Sequence, residues 1–417
     1  MKQSVSTVIF LSPGTELTPI VSLKYPKFEL PILNEPLFLH NLKWVKEISN
    51  EIFVIFLSKY KKKINQIIKE FEFKGLITLI EKDQFDGSFF SLKEILKNIQ
   101  SQNILITKGD IITSLKLEYI FDDFFSKKTD VFLVLKKDVS NTSTVGYNKK
   151  GEVTFYTDEP NFKLPSYYFM TNKRSTITRE LDLAQVYIFK KKFISNIEGE
   201  YFSLKSNLIP FLVNELKQKE PIRFFFAEKE FVQVQKYQDY LRALLLIKEK
   251  AQNLPIYLHS SEIEEQDESK KENIFKNYNK QSKNFIYKTK KRITFSNDKN
   301  IVGQYTQIEK CNLKKTILGS NCKISNGCLL DDCIVLNNVI LGENCRLQRT
   351  FIGHNVILQK DTVLVDCKVM NDFIAEEELH ATNKTFFKDV DPDFDDDQDK
   401  FNDDSGDKRS VKCDGSS

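Results

Sequence analysis

The sequence predicts two folded units in tandem: an α/β domain with a mostly parallel, helix-covered sheet, then a left-handed β-helix. Three observations predict this. Strand-like runs alternate with helix-periodic segments through the first half of the chain. A charge-rich stretch without periodicity interrupts the pattern between residues 260 and 292. From residue 301 an aliphatic–Gly step begins to recur, each time followed a few positions later by a small side chain.

The first run, Ser6 to Leu11, is β-branched and apolar and ends in Ser12-Pro13-Gly14, so it reads as a buried strand leading into a turn. Ile52 to Leu57, Leu76 to Ile80, Ile104 to Ile106 and Val131 to Leu135 share that character. Between them, Pro36 to Ser49, Lys61 to Phe71 and Ser91 to Ile99 carry helical periodicity, and Leu204 to Leu216 and Gln235 to Lys250 read as further amphipathic helices closing the domain. In such a sheet a ligand is expected beyond the carboxyl ends of the strands, where Ser12 to Thr15 and Lys108 to Ile111 fall. In the second unit the clearest copies of the repeat are Val302-Gly303, Leu318-Gly319, Leu341-Gly342 and Ile352-Gly353. A six-residue spacing of inward aliphatics suits a triangular β-helix, with Gly relieving the corners and Cys as the small inward residue; an irregular two-sided stack of strands is the alternative. The expected boundaries are 1–250 for the α/β domain, 251–298 for a charged flexible linker, 299–375 for the β-helix and 376–417 for an acidic disordered tail.

Composition narrows the function. The apolar fraction of 41% with 34 Phe supports two cores, and a net charge of +4 set against 62 basic and 58 acidic side chains gives no case for direct nucleic-acid binding. The Asp-rich segment from Asp389 to Asp407 places an acidic tail on a more basic body. No apolar run reaches membrane-spanning length and the first residues lack a signal-peptide pattern, so a soluble cytosolic protein is expected. All seven cysteines follow residue 310 without a Cys-x-x-Cys pair, which favours buried small hydrophobes in a reducing compartment over a zinc site or disulfides. The four histidines stand apart from any nucleophile, so no hydrolytic triad is expected.

The segment Leu11-Ser12-Pro13-Gly14-Thr15-Glu16-Leu17-Thr18-Pro19, continuing through Tyr25-Pro26-Lys27 to Pro36-Leu37, resembles the signature of the sugar-nucleotide pyrophosphorylases. The resemblance implies a nucleotidyltransferase-like, Rossmann-like mixed sheet with helices on both faces, ahead of a β-helix of degenerate hexapeptide repeats. In that family a Gly-rich loop ending in Gly-x-Arg holds the triphosphate through backbone amides and a guanidinium. Here Gly14 remains, Pro13 removes a donor, and Glu16 stands where the arginine would be. Exchanging attraction for repulsion costs roughly twice the ~4 kcal/mol of a close pair at intermediate dielectric. Gly109-Asp110 resembles the Gly-Asp whose carboxylate holds the family's magnesium, and Asp86-Gly87-Ser88-Phe89-Phe90 resembles the loop beneath its nucleobase, with rings expected to fill the base pocket. Glu159-Pro160 takes the place of a Lys-Pro whose lysine approaches the sugar phosphate. Gly14, Glu16, Lys27, Gly87, Phe89, Asp110 and Glu159 therefore outline a degenerate nucleotide pocket, with no catalytic residue, metal or cofactor expected. Lys24, Lys27 and Lys108 are expected as surface lysines on the sheet rim, and Asp182 as a strand residue rather than a metal ligand.

Within this superfamily, Asp182-Leu183-Ala184-Gln185-Val186-Tyr187-Ile188-Phe189-Lys190-Lys191 and Ser203-Leu204-Lys205-Ser206-Asn207-Leu208-Ile209-Pro210-Phe211-Leu212-Val213 look like segments of the gamma subunits of eukaryotic translation initiation factor 2B. That likeness implies a non-catalytic subunit of the guanine-nucleotide exchange factor for initiation factor 2. Its partners would be a larger epsilon subunit, the rest of that complex and the initiation factor 2 GTPase. The alternative is a sugar-nucleotide pyrophosphorylase, active or regulatory, of the GDP-mannose pyrophosphorylase kind.

Overall fold

The computed structural model describes residues 4–12, 14, 17, 21–22, 24–32, 35–69, 71, 73, 75–137, 143–159, 162, 175–198, 202–216, 220–227, 231–250, 287–288, 294–295, 300–303 and 305–387. Most of the expected linker, the tail beyond 387, Cys413 and Glu16 lie outside the described residues.

The α/β domain is built on a seven-stranded sheet. In chain order its strands are β1 (Val5–Phe10), β2 (Glu51–Leu57), β3 (Leu76–Lys82), β4 (Asn103–Lys108), β5 (Val131–Lys137), β6 (Leu181–Lys190) and β7 (Arg223–Ala227). Their spatial order is β7-β5-β6-β4-β1-β2-β3, and β6 alone runs antiparallel to both of its neighbours. Every residue of β1 and β2 is buried, as expected of central parallel strands covered on both faces. Alternation along β1 feeds two cores. Ile9 faces one with Phe38, Phe56 and Phe121; Val8 and Phe10 face the other with Phe53, Phe89 and Leu208.

Helices α1 (Leu37–Val45), α2 (Lys61–Lys69), α3 (Ser88–Ile95) and α4 (Leu117–Ser126) occupy the connections between strands. Pro36, with its fixed φ, stands at the N-cap of α1, and the indole of Trp44 near its far end donates to the carbonyl of Leu115 at 2.7 Å. The expected helix over 204–216 is a π turn at Leu204–Leu208 followed by a short helix at Ile209–Asn214. Pro210 lacks an N–H for a regular ladder, and the Ser203 hydroxyl accepts from the amide of Ser206 to start the turn. A last helix, α5 (Tyr237–Lys250), carries the chain toward the second unit.

Residues 301–387 wind as a β-helix with three parallel sheets. Its coils are not built from even sixes. Leu318 pairs with Val335 and Val335 with Ile352, seventeen residues apart, and the inward aliphatics Leu318, Ile324, Leu330 and Val335 show sides of six, six and five. The corners also differ from expectation. Asn338, Asn344, Arg349, Asn355, Asp361, Asp366 and Asp372 hold the left-handed conformation, chiefly Asn and Asp, whose short side chains tolerate it. The repeating glycines serve close stacking instead: a Cβ on Gly342 would fall 2.5 Å from the backbone nitrogen of Lys360 in the next coil.

The six described cysteines form no disulfide with one another and are buried inside the coils, in keeping with the small inward role expected of them. Two short strands within the 251–298 stretch, Tyr287–Lys288 and Thr294–Phe295, pair antiparallel with the first coil, and parallel coiling continues to Thr385–Phe386, beyond residue 375. The hexad signal fades there because His380 and Thr382 are exposed.

The two units pack together. Tyr240, Ala243 and Leu244 of α5 and Leu17, Val21 and Leu30 of the loop after β1 share a cluster with Ile301, Leu336, Phe351 and Met370 of the β-helix. Tyr237 meets Phe351 edge-on at 5.4 Å, and the Tyr240 hydroxyl donates to the carbonyl of Pro31 at 2.9 Å.

Candidate functional site

The carboxyl ends of β1 and β4 bring three of the expected residues together. Lys27 opens a single turn after extended Pro26, and its side chain runs beneath Gly14 to reach Asp110, two residues past β4. Lys27 Nζ lies 2.5 Å from Asp110 Oδ2, and both side chains are only 6% exposed. The surface placement expected for Lys27 is therefore wrong: Asp110 supplies the countercharge that makes its burial tolerable. Gly14, at φ +81°, leaves no room for a side chain, since a Cβ would fall 2.4 Å from Lys27 Cδ. Asp110 is fixed through its backbone, whose carbonyl accepts from Val234 at 2.8 Å, and the Asn41 carboxamide oxygen accepts from the next amide at 3.2 Å. Its second oxygen, Oδ1, is buried without a hydrogen-bond partner.

Gly87 and Phe89 stand at the start of α3, where the chain is closed in a different way than expected. A Cβ on Gly87 would fall 2.3 Å from the carbonyl oxygen of Phe202, the Phe89 amide donates to that oxygen at 2.9 Å, and the Leu204 amide donates to Ser88 Oγ at 2.9 Å. Backbone from the 202–204 segment thus covers the loop. Phe89 does not fill a base pocket; it is 1% exposed in the core beside Phe10, Phe53 and Leu92, and Phe90 is 46% exposed to solvent. A ring at the first turn of a helix points back over its own N-terminus, which here is the sheet face.

Asp182 is a structural residue, as expected. It accepts from Ser143 Oγ at 2.8 Å, Tyr156 Oη at 3.0 Å and its neighbour's amide at 2.7 Å, and pairs with Lys205 at 2.7 Å. Burial, with the carboxylate beside it, pushes the Tyr156 hydroxyl well above its ordinary range, so it stays a donor. Glu159 is exposed after the strand Val153–Thr157; its amide donates to Thr157 Oγ1 at 3.2 Å and its carbonyl accepts from the Phe162 amide at 3.3 Å. No described contact links it to Asp110.

Beside these groups a cleft opens between β4, β6 and α3, lined by Ser88, Thr107, Lys108, Gln185 and Lys205 over a floor of Phe10, Ile106 and Leu204. Gln185 occupies a bulge in β6 at φ 54°, where the pairing with β5 slips between Leu183 and Tyr187. The sequence reading assigned no role to Gln185 or Lys205. A bulge leaves no mark in a continuous apolar run, and Lys205 hides inside the Ser-x-x-Ser segment.

A divalent cation does not fit the crevice as arranged. Magnesium needs several oxygens, and among the described residues no group of three or more candidate ligands converges; Asp110 offers one free oxygen with an ammonium on the other.

Residues 12–212 match the nucleotidyl transferase family, and residues 282–372 match the GlmU-like C-terminal hexapeptide family. The α/β domain has the nucleotidyltransferase fold. A hexapeptide-repeat β-helix follows it. Among solved structures, HddC from Yersinia pseudotuberculosis is 16% identical, over 58% of this chain and 99% of its own, with a TM-score of 0.45. The same protein complexed with GMP-PN is 18% identical, over 57% and 98%, with a TM-score of 0.44. No curated protein matches the sequence. Among the described residues no helix is long and apolar enough to cross a membrane.

Proposed function

We propose that this chain is a non-catalytic subunit of the guanine-nucleotide exchange factor for translation initiation factor 2, held in the cytosol in a complex with a larger, homologous epsilon subunit. The observation that carries the reading is the buried Lys27–Asp110 pair. The carboxylate that a pyrophosphorylase would turn toward magnesium is engaged through one oxygen by Lys27 instead. Two further features support it: Glu16 and Glu159 stand where the family carries cations, and the Ser203–Val213 segment resembles the gamma subunits. Function then lies in surfaces that hold other chains.

Affinity purification of the full chain from its own cells tests the proposal. Recovery of initiation factor 2 and an epsilon-like chain is expected; recovery of neither, together with magnesium-dependent pyrophosphate release from a nucleoside triphosphate and a sugar phosphate, would overturn it. The second reading, an active or regulatory sugar-nucleotide pyrophosphorylase, is favoured by one observation: Gly14, Lys27 and Asp110 are all present and adjacent. On that reading Asp110→Asn abolishes turnover.

A further inference from the structure

We propose that the Asp-rich segment from Asp389 to Asp407 folds back onto the lysine-bearing face of α2, beside the corner where the β-helix meets the loop before Lys27. The register of the coils positions the start of that segment. Corners recur every seventeen residues, and Asn321, Asn338, Asn355 and Asp372 form one row of left-handed positions. Their side chains link along the row: Asn338 Nδ2 donates to Asn355 Oδ1 and Asn355 Nδ2 to Asp372 Oδ1, both at 2.9 Å. Val369 pairs with Phe386 in the next coil, and Asp372 follows Val369 by three residues. Three residues after Phe386 stands Asp389, the next member of the row by count. The repeat carried one coil further starts the segment about one strand spacing, ~4.8 Å, beyond Asp372.

That corner is rich in lysine. Lys24 Nζ lies 3.0 Å from Asp372, and Lys63 of α2 donates to the Lys24 carbonyl at 2.8 Å, so the first turn of α2 stands directly behind. The helix buries Ile64 and Ile67 and turns Lys61, Lys62 and Lys69 to solvent. Lys61 is matched by Glu81 at 2.8 Å and Lys63 by Glu29. Lys62 and Lys69, seven residues apart and so on one face, have no ion-pair partner among the described residues. Lys61, Lys62 and Lys63 also oppose the helix dipole, because no acidic side chain shares their turn. A polyanion laid across this face offsets both the unmatched charge and the dipole.

Charge and tether favour this chain's own segment over a partner. Between Asp389 and Asp407 the sequence has ten aspartates against one lysine. Extended, the segment spans up to about 60 Å, ample to reach Lys69 at the far end of a helix roughly 14 Å long. A short flexible tether holds its charges near the helix at a local concentration of about millimolar, which an untethered acidic peptide must match to compete. Each exposed pair is weak by itself, so the contact depends on several charges at once and should dissolve in salt. The inference stands whichever reading of the function holds, because neither nucleotide nor an initiation factor enters it.

The test is zero-length carbodiimide coupling of carboxylates to amines in the full chain at low salt, with the joined peptides mapped by mass spectrometry. The Lys24–Asp372 pair, at 3.0 Å, is the internal standard. Couplings from the 389–407 aspartates to Lys24, Lys62 and Lys69 should exceed by about tenfold those to Lys149 and Lys150, as a raised local concentration gives. Those two control lysines are exposed on the hairpin that meets Arg223 of β7, at the opposite edge of the sheet from β3. The excess should persist on dilution and disappear in about 1 M sodium chloride, where charges are screened beyond ~3 Å. Lys62→Glu with Lys69→Glu keeps the buried face of α2 and should also lower the coupling of the segment to Lys24. Coupling spread evenly over the exposed lysines, coupling only between two copies and so lost on dilution, or coupling at Lys24 unchanged by the charge reversal would overturn the proposal.

Discussion

Replacing Lys27 by Met removes an ammonium while keeping most of the volume that covers Gly14. Asp110 is then left buried with both oxygens unpaired, since Oδ1 already lacks a partner. Breaking one side of a buried ion pair costs about 3–5 kcal/mol, a large share of the 5–15 kcal/mol that holds a typical domain. Asp110→Asn should cost a similar amount by stranding the ammonium. The double variant carries no buried charge and loses only the hydrogen bonding of one amide, about 1–3 kcal/mol. The cycle therefore closes with a coupling of about 3 kcal/mol or more. The chain has a single tryptophan, Trp44, packed in α1, so urea unfolding followed by its fluorescence reports on the α/β domain. If each single variant costs less than about 1 kcal/mol and the two add, Lys27 and Asp110 are solvated, and the closed crevice is refuted.

Three other outcomes are expected. Burial holds His40 and His354 down to about 4, below their ordinary 6.5, so the unfolded chain binds the protons; stability should be full above about pH 6.5 and fall by roughly 2–3 kcal/mol per residue toward pH 4, a slope that His354→Gln should reduce in acid-unfolding measurements. Burial raises the thiols of Cys322 and Cys333 to about 11 and 12, and hydrogen bonding with Cys311 raises that of Cys328 to about 12; with all six described coil cysteines buried, alkylation at pH 8 should be resisted in the native protein and proceed only in denaturant, as counted by mass spectrometry. Gly342→Ala should destabilise the β-helix by about 2 kcal/mol or more through a clash with the Lys360 backbone, whereas Asn344→Gly, at a left-handed corner, should cost under about 1 kcal/mol in thermal unfolding.

The architecture was legible because both signals are strong and local. Continuous apolar β-branched runs such as Val5–Phe10 can only be buried strands, and each reappears within a residue or two of its expected ends. The β-helix was legible in its inward aliphatics and thin cysteines but not in its period, because one side of each coil is a residue short and the corner signal lies in Asn and Asp rather than Gly. The site was less readable. Sequence placed Gly14, Lys27 and Asp110 on the sheet's carboxyl edge, but whether a lysine faces water or a carboxylate depends on a contact across eighty residues. Phe89 was misplaced for a similar reason: its helix phase, not its position in the motif, sends the ring into the core.

The loop that carries Lys27 is also the loop that the β-helix grips. Tyr25 stacks on His354 with ring centroids 5.0 Å apart, its hydroxyl donates to Asp372 at 2.9 Å and meets Asn355, and Lys24 pairs with Asp372 at 3.0 Å. Behind it, Lys63 of α2 donates to the Lys24 carbonyl at 2.8 Å and pairs with Glu29, and Phe28 packs edge-on against Tyr60. The exposed Lys24–Asp372 pair contributes little, but the half-buried stack and the shared carboxylate hold Tyr25, two residues before Lys27. Withdrawing Lys27 from Asp110 by a backbone shift must therefore disturb contacts with the β-helix as well. The two share one free energy. Whatever binds the Asp372 corner more tightly in one loop position than in another biases the crevice, and whatever displaces Lys27 biases the docking by the same amount.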